Sequence, residues 1–177
     1  YQTDPVFAKV GQLSLRPTGT QSGIKVNLPD PVGEVPNPLD TGQAFWSGKG
    51  DLSEFTLSHD FDLTTAVNPI FSFASYWSIE EDWDYGYVEV SSDAGDTWTI
   101  LQDMDAIMVD TNPNGNNQGW GLTGEATGTL RFDLTSYIGQ TVSIRLRYST
   151  DMAVQLSGWW AHDFLLVDGA TTLFTDD

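Results

Sequence analysis

The sequence predicts an all-β protein: an antiparallel, jelly-roll-like β-sandwich preceded by a Pro-rich extended arm. Three observations carry this. From Gly42 onward, apolar residues recur at every second position, the period of a strand with one buried and one solvated face. A 3.6-residue apolar period never persists for about twelve residues, so no long amphipathic helix is expected. Six of the eight prolines fall at positions 5, 17, 29, 31, 36 and 38, and Pro opposes both helix and central strand. Residues 1–40 are therefore read as an extended arm or linker, and residues 41–177 as the sandwich domain.

The elements follow in order. Two strand-like runs, residues 6–15 and 23–28, lie within the arm, and residues 29–41 form its Pro-rich end. Glu54-Phe55-Thr56-Leu57-Ser58 alternates. Phe71-Ser72-Phe73-Ala74-Ser75-Tyr76-Trp77 is mostly aromatic at alternate positions. Tyr87-Val88-Glu89-Val90-Ser91 alternates, and Asp93-Ala94-Gly95-Asp96 follows it as a hairpin turn. Residues 110–119 are a polar, Asn- and Gly-rich loop, and residues 134–137 offer at most one helical turn. Val142-Ser143-Ile144-Arg145-Leu146-Arg147-Tyr148 alternates again. About ten or eleven such strands with turn signals between them suit a sandwich. Phe71, Phe73, Val88, Val90, Ile144, Leu146 and Leu165 are expected in its core. Phe73→Ala should then cost about 3–5 kcal/mol, and Glu89→Gln, on the solvent face, almost nothing.

Composition narrows the function. Seven Lys and Arg against 25 Asp and Glu give a net charge of −18 in 177 residues, with an isoelectric point near 4.1. Phosphate binding needs clustered Lys and Arg, so nucleic acid is not an expected partner. Anionic lipid is disfavoured for the same reason. No run of eighteen apolar residues exists, so no membrane span is expected. An apolar share of 40% with seven Trp, six Tyr and nine Phe supports a packed core despite the charge. The absence of Cys removes disulfides, thiolate metal sites and Cys nucleophiles. The chain opens on Tyr1 without a signal peptide, so a processed chain or a fragment is expected, with any export signal upstream.

Catalytic signatures are thin. His59 and His162 belong to no HExxH pair, and no nucleophile elbow, P-loop or dinucleotide fingerprint appears. Calcium is the better chemical idea, because hard cations take six to eight oxygens from carboxylates, carbonyls and water. Glu80-Glu81-Asp82-Trp83-Asp84 places four carboxylates in five residues. Holding them together costs energy that either a cation or plain solvent must offset. Asp110-Thr111-Asn112-Pro113-Asn114-Gly115 resembles the first half of an EF-hand loop, but its twelfth position is Gly121 rather than Glu. Asp151 and Asp163 flank a third polar region. Trp83, Trp120 and Trp159, at loops or strand ends, are candidates for stacking on a carbohydrate ring.

Longer strings resemble a known family. The segment from Trp77 through Glu80, Trp83, Asp84, Tyr87, Ser91 and Gly95 to Trp98 resembles the accessory β-sandwich region of the immune inhibitor A family of metallopeptidases. Phe45-Trp46-Ser47-Gly48-Lys49-Gly50-Asp51, Gly121-Leu122-Thr123-Gly124, Phe132-Asp133-Leu134 through Gly139, and Arg147-Tyr148-Ser149-Thr150-Asp151 continue the likeness in the family's order. Together they cover roughly residues 23–168. The resemblance implies a secreted prokaryotic module without catalysis of its own, its zinc-bearing peptidase domain lying outside these residues. It also implies a structural calcium, with Glu80, Asp84, Asp151 and Asp163 as ligands. One departure is His162, which stands beside Asp163 where the family has a second acidic or amide residue; His prefers softer metals.

The leading expectation is thus a non-catalytic, extracellular, calcium-stabilised module that binds a surface, a glycan or a parent protease domain. The alternative is a structural subunit of an extracellular filament or assembly. In that case residues 1–40 would join a neighbour by β-strand augmentation.

Overall fold

The computed structural model describes Pro38 and residues 43–176. Among these residues run β1 (Phe45–Trp46), β2 (Glu54–Asp62), β3 (Pro69–Ser78), β4 (Tyr85–Ser91), β5 (Thr99–Ile100), β6 (Glu125–Asp133), β7 (Thr141–Ser149), β8 (Gly158–Asp168) and β9 (Thr171–Thr175). The two strand-like runs expected at 6–15 and 23–28, and the arm as a whole, lie outside the described residues. The single helical turn expected near residue 135 is a 3-10 turn, Thr135–Tyr137.

The strands form two antiparallel sheets. One runs β1-β8-β3-β6, with β9 also paired to β8; the other runs β2-β7-β4-β5. β1 meets β8 at Ala161 and Trp160, while β9 meets it at residues 165–168, so the two short strands share one edge of β8. From β1 to β4 the chain changes sheet at every step, and it does so again from β5 through β8. Sheet-crossing connections of this kind give a jelly-roll-like sandwich.

The inward-facing residues fill the space between the sheets. Phe71, Phe73 and Trp77 of β3, Leu130 and Phe132 of β6, and Trp159, Phe164 and Leu166 of β8 meet Val88, Val90, Val142, Ile144 and Leu146 of the other sheet. Phe73 is 1% exposed, and its ring lies 5.1 Å from Phe164 and 6.1 Å from Phe132. Six of the seven expected core residues are buried. Leu165 is only half-buried, and Phe164 and Leu166 take the inward places. The cause is a bulge at Asp163, which has φ +54° and breaks the β3–β8 register between Ser72 and Ala74. One extra residue reverses the facing of everything beyond it.

A second departure concerns the outer face of the four-stranded sheet. Glu89 lies there as its alternation implies, yet it is 3% exposed. Tyr85 and Tyr87 on the same face are also buried. The segment between β5 and β6 folds back over them. Gly121 pairs with Val109, and Gly86 with Leu122. The Tyr87 hydroxyl accepts the Gln118 N–H (3.0 Å), and Arg147 donates to the Gln118 Oε1 (3.0 Å). Two buried polar residues hold this cover in place. Asp103 accepts backbone N–H groups from Asp105, Ile107 and Met108, and the Asn117 amide donates to the carbonyls of Val109 and Thr111. The expected hairpin turn after β4 is present, with Asp93 accepting from Ser91 Oγ and from both the N–H and hydroxyl of Thr97.

Candidate metal centre

The site lies where β3 hands over to β4. Glu80 follows β3, and the chain turns tightly so that the Asp84 N–H donates to the Glu80 carbonyl at 3.0 Å. Asp82 takes φ +65° in this turn, and its N–H donates to Thr123 Oγ1 at 2.7 Å. Thr123 Oγ1 in turn donates to the Glu80 carbonyl. These bonds fix both carboxylates of the turn relative to the Gly121-Leu122-Thr123-Gly124 segment. Asp151 arrives from the end of β7, and its N–H donates to Asp84 Oδ1 at 2.9 Å. The Tyr148 hydroxyl donates to Asp84 Oδ2 at 3.0 Å. Behind Asp151, Thr150 Oγ1 donates to the Gly50 carbonyl and accepts from the Ser53 N–H, which ties in the loop before β2.

One carboxylate oxygen from each of Glu80, Asp84 and Asp151 lies within 4.8 Å of the others. Asp84 is 1% exposed. Glu80 Oε2 is buried and has no hydrogen-bond partner among the described residues. Burial pushes the Glu80 carboxyl above its ordinary value, and the charges of Asp151 and Asp84 add to the rise. Burial likewise raises Asp84, against the lowering effect of its bonds from Asp151 N–H and Tyr148; Asp151 and Asp51 contribute further repulsion. Burial and the Asp84 charge push the Tyr148 hydroxyl well up, so it stays a donor. Three hard oxygen donors, one of them orphaned, are crowded until two resist ionisation. Such a donor set fits a hard divalent cation such as calcium.

The immune inhibitor A-like MAM domain family model matches residues 12–177. The chain belongs to this family. It is 31% identical over 156 residues to immune inhibitor A of Bacillus thuringiensis subsp. alesti, covering 87% of this chain and 21% of that protein. It is 28% identical over 153 residues to the pre-pro-metalloprotease PrtV of Vibrio cholerae, covering 85% of this chain and 16% of that protein. Bacillopeptidase F of Bacillus subtilis is 28% identical over 96 residues, 54% of this chain and 6% of its own length. This MAM-family chain therefore spans about a fifth or less of the relatives it matches.

Of the four expected ligands, three converge and Asp163 does not. Asp163 sits on the β8 bulge with its side chain 78% exposed, 3.0 Å from His162 Nδ1. It lies opposite the middle of β3, some six or seven residues from Glu80, or roughly 20 Å of strand. The substituted His162 beside it is equally remote from the three carboxylates. The loop carrying Asp110 supplies no carboxylate to the group either. Its Asn114 and Asn116 amides donate to the carbonyls of Asp82 and Trp83, so the loop buttresses the turn.

The three tryptophans also separate. Trp159 is 3% exposed, and its indole N–H donates to Ser75 Oγ at 2.7 Å inside the core, so it offers no face to a sugar. Trp120 is half-buried against the core. Trp83 alone is substantially open, at 42%. Sequence reasoning missed Tyr148, the hydroxyl that orients Asp84. Its only signal was its place three residues before Asp151 in a string that resembles the family.

Proposed function

We propose that this chain is a non-catalytic, extracellular accessory module of a longer metallopeptidase-type polypeptide, and that calcium held by Glu80, Asp84 and Asp151 stabilises it. The observation that supports the cation most directly is the buried, partnerless Glu80 Oε2 beside an Asp84 carboxylate that is itself buried. An unpaired carboxylate oxygen out of water is costly, and a divalent cation removes that cost together with the mutual repulsion. In this reading Glu80, Asp84 and Asp151 hold the ion. Tyr148 and the Asp151 N–H each bond one oxygen of Asp84 and keep it aimed. The ion then joins the β3–β4 turn to the end of β7, and through Thr150 to the loop before β2. The accessory role is supported by the family match and by the small share of each relative that the chain spans. Location outside the cell follows from the same likeness, to a pre-pro-metalloprotease among others.

The test is a thermal melt of the whole chain with excess calcium and again with a chelator, alongside metal analysis of the sample. Calcium at about 100 times its dissociation constant adds about 2.7 kcal/mol, which is a shift of several degrees for a domain of this size. Identical melts of a sample proven metal-free would overturn the cation reading.

A further inference from the structure

Beside the carboxylates, on the side of Trp83, a shallow cleft of about 500 Å³ opens toward solvent. Its lining mixes an aromatic ring with hydrogen-bonding groups: Trp83, Tyr85, Asn116, Gln118, Asp151 and Met152 all face it. Trp83 and Met152 form exposed rims, at 42% and 72%. Asn116 spends its amide nitrogen on the Trp83 carbonyl (3.1 Å), which leaves Oδ1 as an acceptor. Gln118 gives Oε1 to Arg147 (3.0 Å), which leaves its amide nitrogen as a donor. Tyr85 is 1% exposed, yet its hydroxyl has no hydrogen-bond partner among the described residues. A buried hydroxyl without a partner is unusual in a folded chain, because it forfeits its bonds to water and gains none.

We propose that this cleft binds a neutral saccharide, with a pyranose ring stacked on Trp83 and its hydroxyls meeting Asn116, Gln118, Asp151 and Tyr85. A sugar matches this lining on three counts. One face of a pyranose is a sheet of C–H groups that packs on an aromatic ring. Its edge carries adjacent hydroxyls, each both donor and acceptor, which suits an array of amide, carboxylate and phenol. The volume falls within the usual range for small-ligand sites, about 300–1,000 Å³. Charge selects the class. Asp151 on the lining and a net charge of −18 repel sulfated, uronic and phosphorylated ligands. Asp151 is shared with the cation site, but Trp83, Asn116, Gln118 and Tyr85 are not, so the proposal survives if the chain proves indifferent to calcium.

The experiment titrates the full chain in calcium-containing buffer with maltohexaose, cellohexaose and chitohexaose, and with a heparin-derived hexasaccharide as the anionic control. Calorimetry gives affinity, and NMR of the Trp indole N–H groups reports contact at Trp83. At least one neutral probe should bind and shift the Trp83 signal. Trp83→Ala, a change at an exposed ring that leaves the melt intact, should weaken binding at least about tenfold. Tyr85→Phe should weaken it several-fold without lowering the melting temperature, since it deletes a partnerless buried hydroxyl. No neutral binding up to about 10 mM, binding indifferent to Trp83→Ala, or binding of the heparin fragment alone would overturn the proposal.

Discussion

Two buried acidic groups stand five residues apart at β4, and they are built in opposite ways. Glu89 is 3% exposed beneath the loop that covers the outer face. Asp84 is 1% exposed at the end of the sandwich. Glu89 carries its own counter-ions. Arg147 Nη2 donates to it at 2.8 Å, Arg145 Nε bonds its other oxygen, and the two guanidinium groups lie over Tyr87 (4.5 Å) and Trp98 (4.1 Å). Asp84 meets only neutral donors, and its charged neighbours Glu80 and Asp151 share its sign. Burial pushes Glu89 upward, but hydrogen bonds and charge from Arg147 and Arg145 outweigh it and hold the carboxyl below its ordinary value. Among the described residues no cation pairs with Asp84 or Glu80, and the bonds from the Asp151 N–H and Tyr148 do not cancel the rise at Asp84. One cluster carries its own counter-charge; the other, among the described residues, has none.

The largest expected effect breaks the paired cluster. Arg147→Met removes one partner of a buried pair and leaves Glu89 to Arg145 alone, so it should destabilise by about 3 kcal/mol. Glu89→Gln leaves Arg147 and Arg145 facing a neutral amide and should cost about 2–3 kcal/mol. Denaturant titration measures both. A loss under about 0.5 kcal/mol for either would mean that the loop does not shield the pair from water.

That result also marks the limit of what the sequence makes legible. Strand periodicity placed Phe73, Val88, Val90 and Ile144 in the core because alternation is local and the pleat obeys it. It placed Glu89 on the outer face correctly, but it treated that face as wet, since no local pattern reveals that the segment after β5 folds back over the sheet. The Asp163 bulge was invisible for the same reason, and it cost Leu165 its core place; Asp163 itself lies too far along β8 to reach the other carboxylates. Glu80 and Asp84 were legible because they sit close in sequence. Asp151 came only through its likeness to a family string. Tyr148 lay in that string and went unread, because a core-facing Tyr on an alternating strand looks like packing alone.

The unpaired cluster should respond to an external ion where the paired one does not. With calcium in excess the gain of about 2.7 kcal/mol should vanish in Asp84→Asn and Glu80→Gln, and persist in Glu89→Gln. In calcium-free buffer Glu80→Gln should be neutral or stabilising by up to about 1 kcal/mol, because it removes a repelling charge from a partly solvated position. Paired melts of the three variants with and without calcium decide this. A calcium shift that survives Asp84→Asn would place the ion elsewhere.

Acidity should separate the clusters by sign. The folded-state values of Glu80 and Asp84 lie above their ordinary 4.5 and 3.8. Between those values and the raised ones, the folded chain holds more protons than the unfolded chain. Calcium-free stability should therefore fall as pH rises through that window. Excess calcium should reverse the slope, since protons then compete with the ion. Glu89 acts the other way: its contribution is full above 4.5 and is lost as pH falls through its lowered folded value. Glu89→Gln should flatten the acid limb of the stability curve and leave the calcium-dependent limb unchanged.

The smallest effect belongs to Asp163, and it tests whether geometry or likeness identifies the ligands. Its carboxylate is 78% exposed beside the buried His162 ring, and a carboxylate so open to water contributes little. Asp163→Asn should change stability by less than about 0.5 kcal/mol and leave the calcium shift whole. Asn suits the backbone, since it tolerates the positive φ that the bulge imposes. A lost calcium shift in this variant would mean that the β8 bulge rearranges to bring Asp163 to the ion. The register of β3 against β8 would then have to slip as well, and that would turn Phe164 and Leu166 out of the core. Because the core opposes such a slip, the three-carboxylate group at the β3–β4 turn is the arrangement the fold holds.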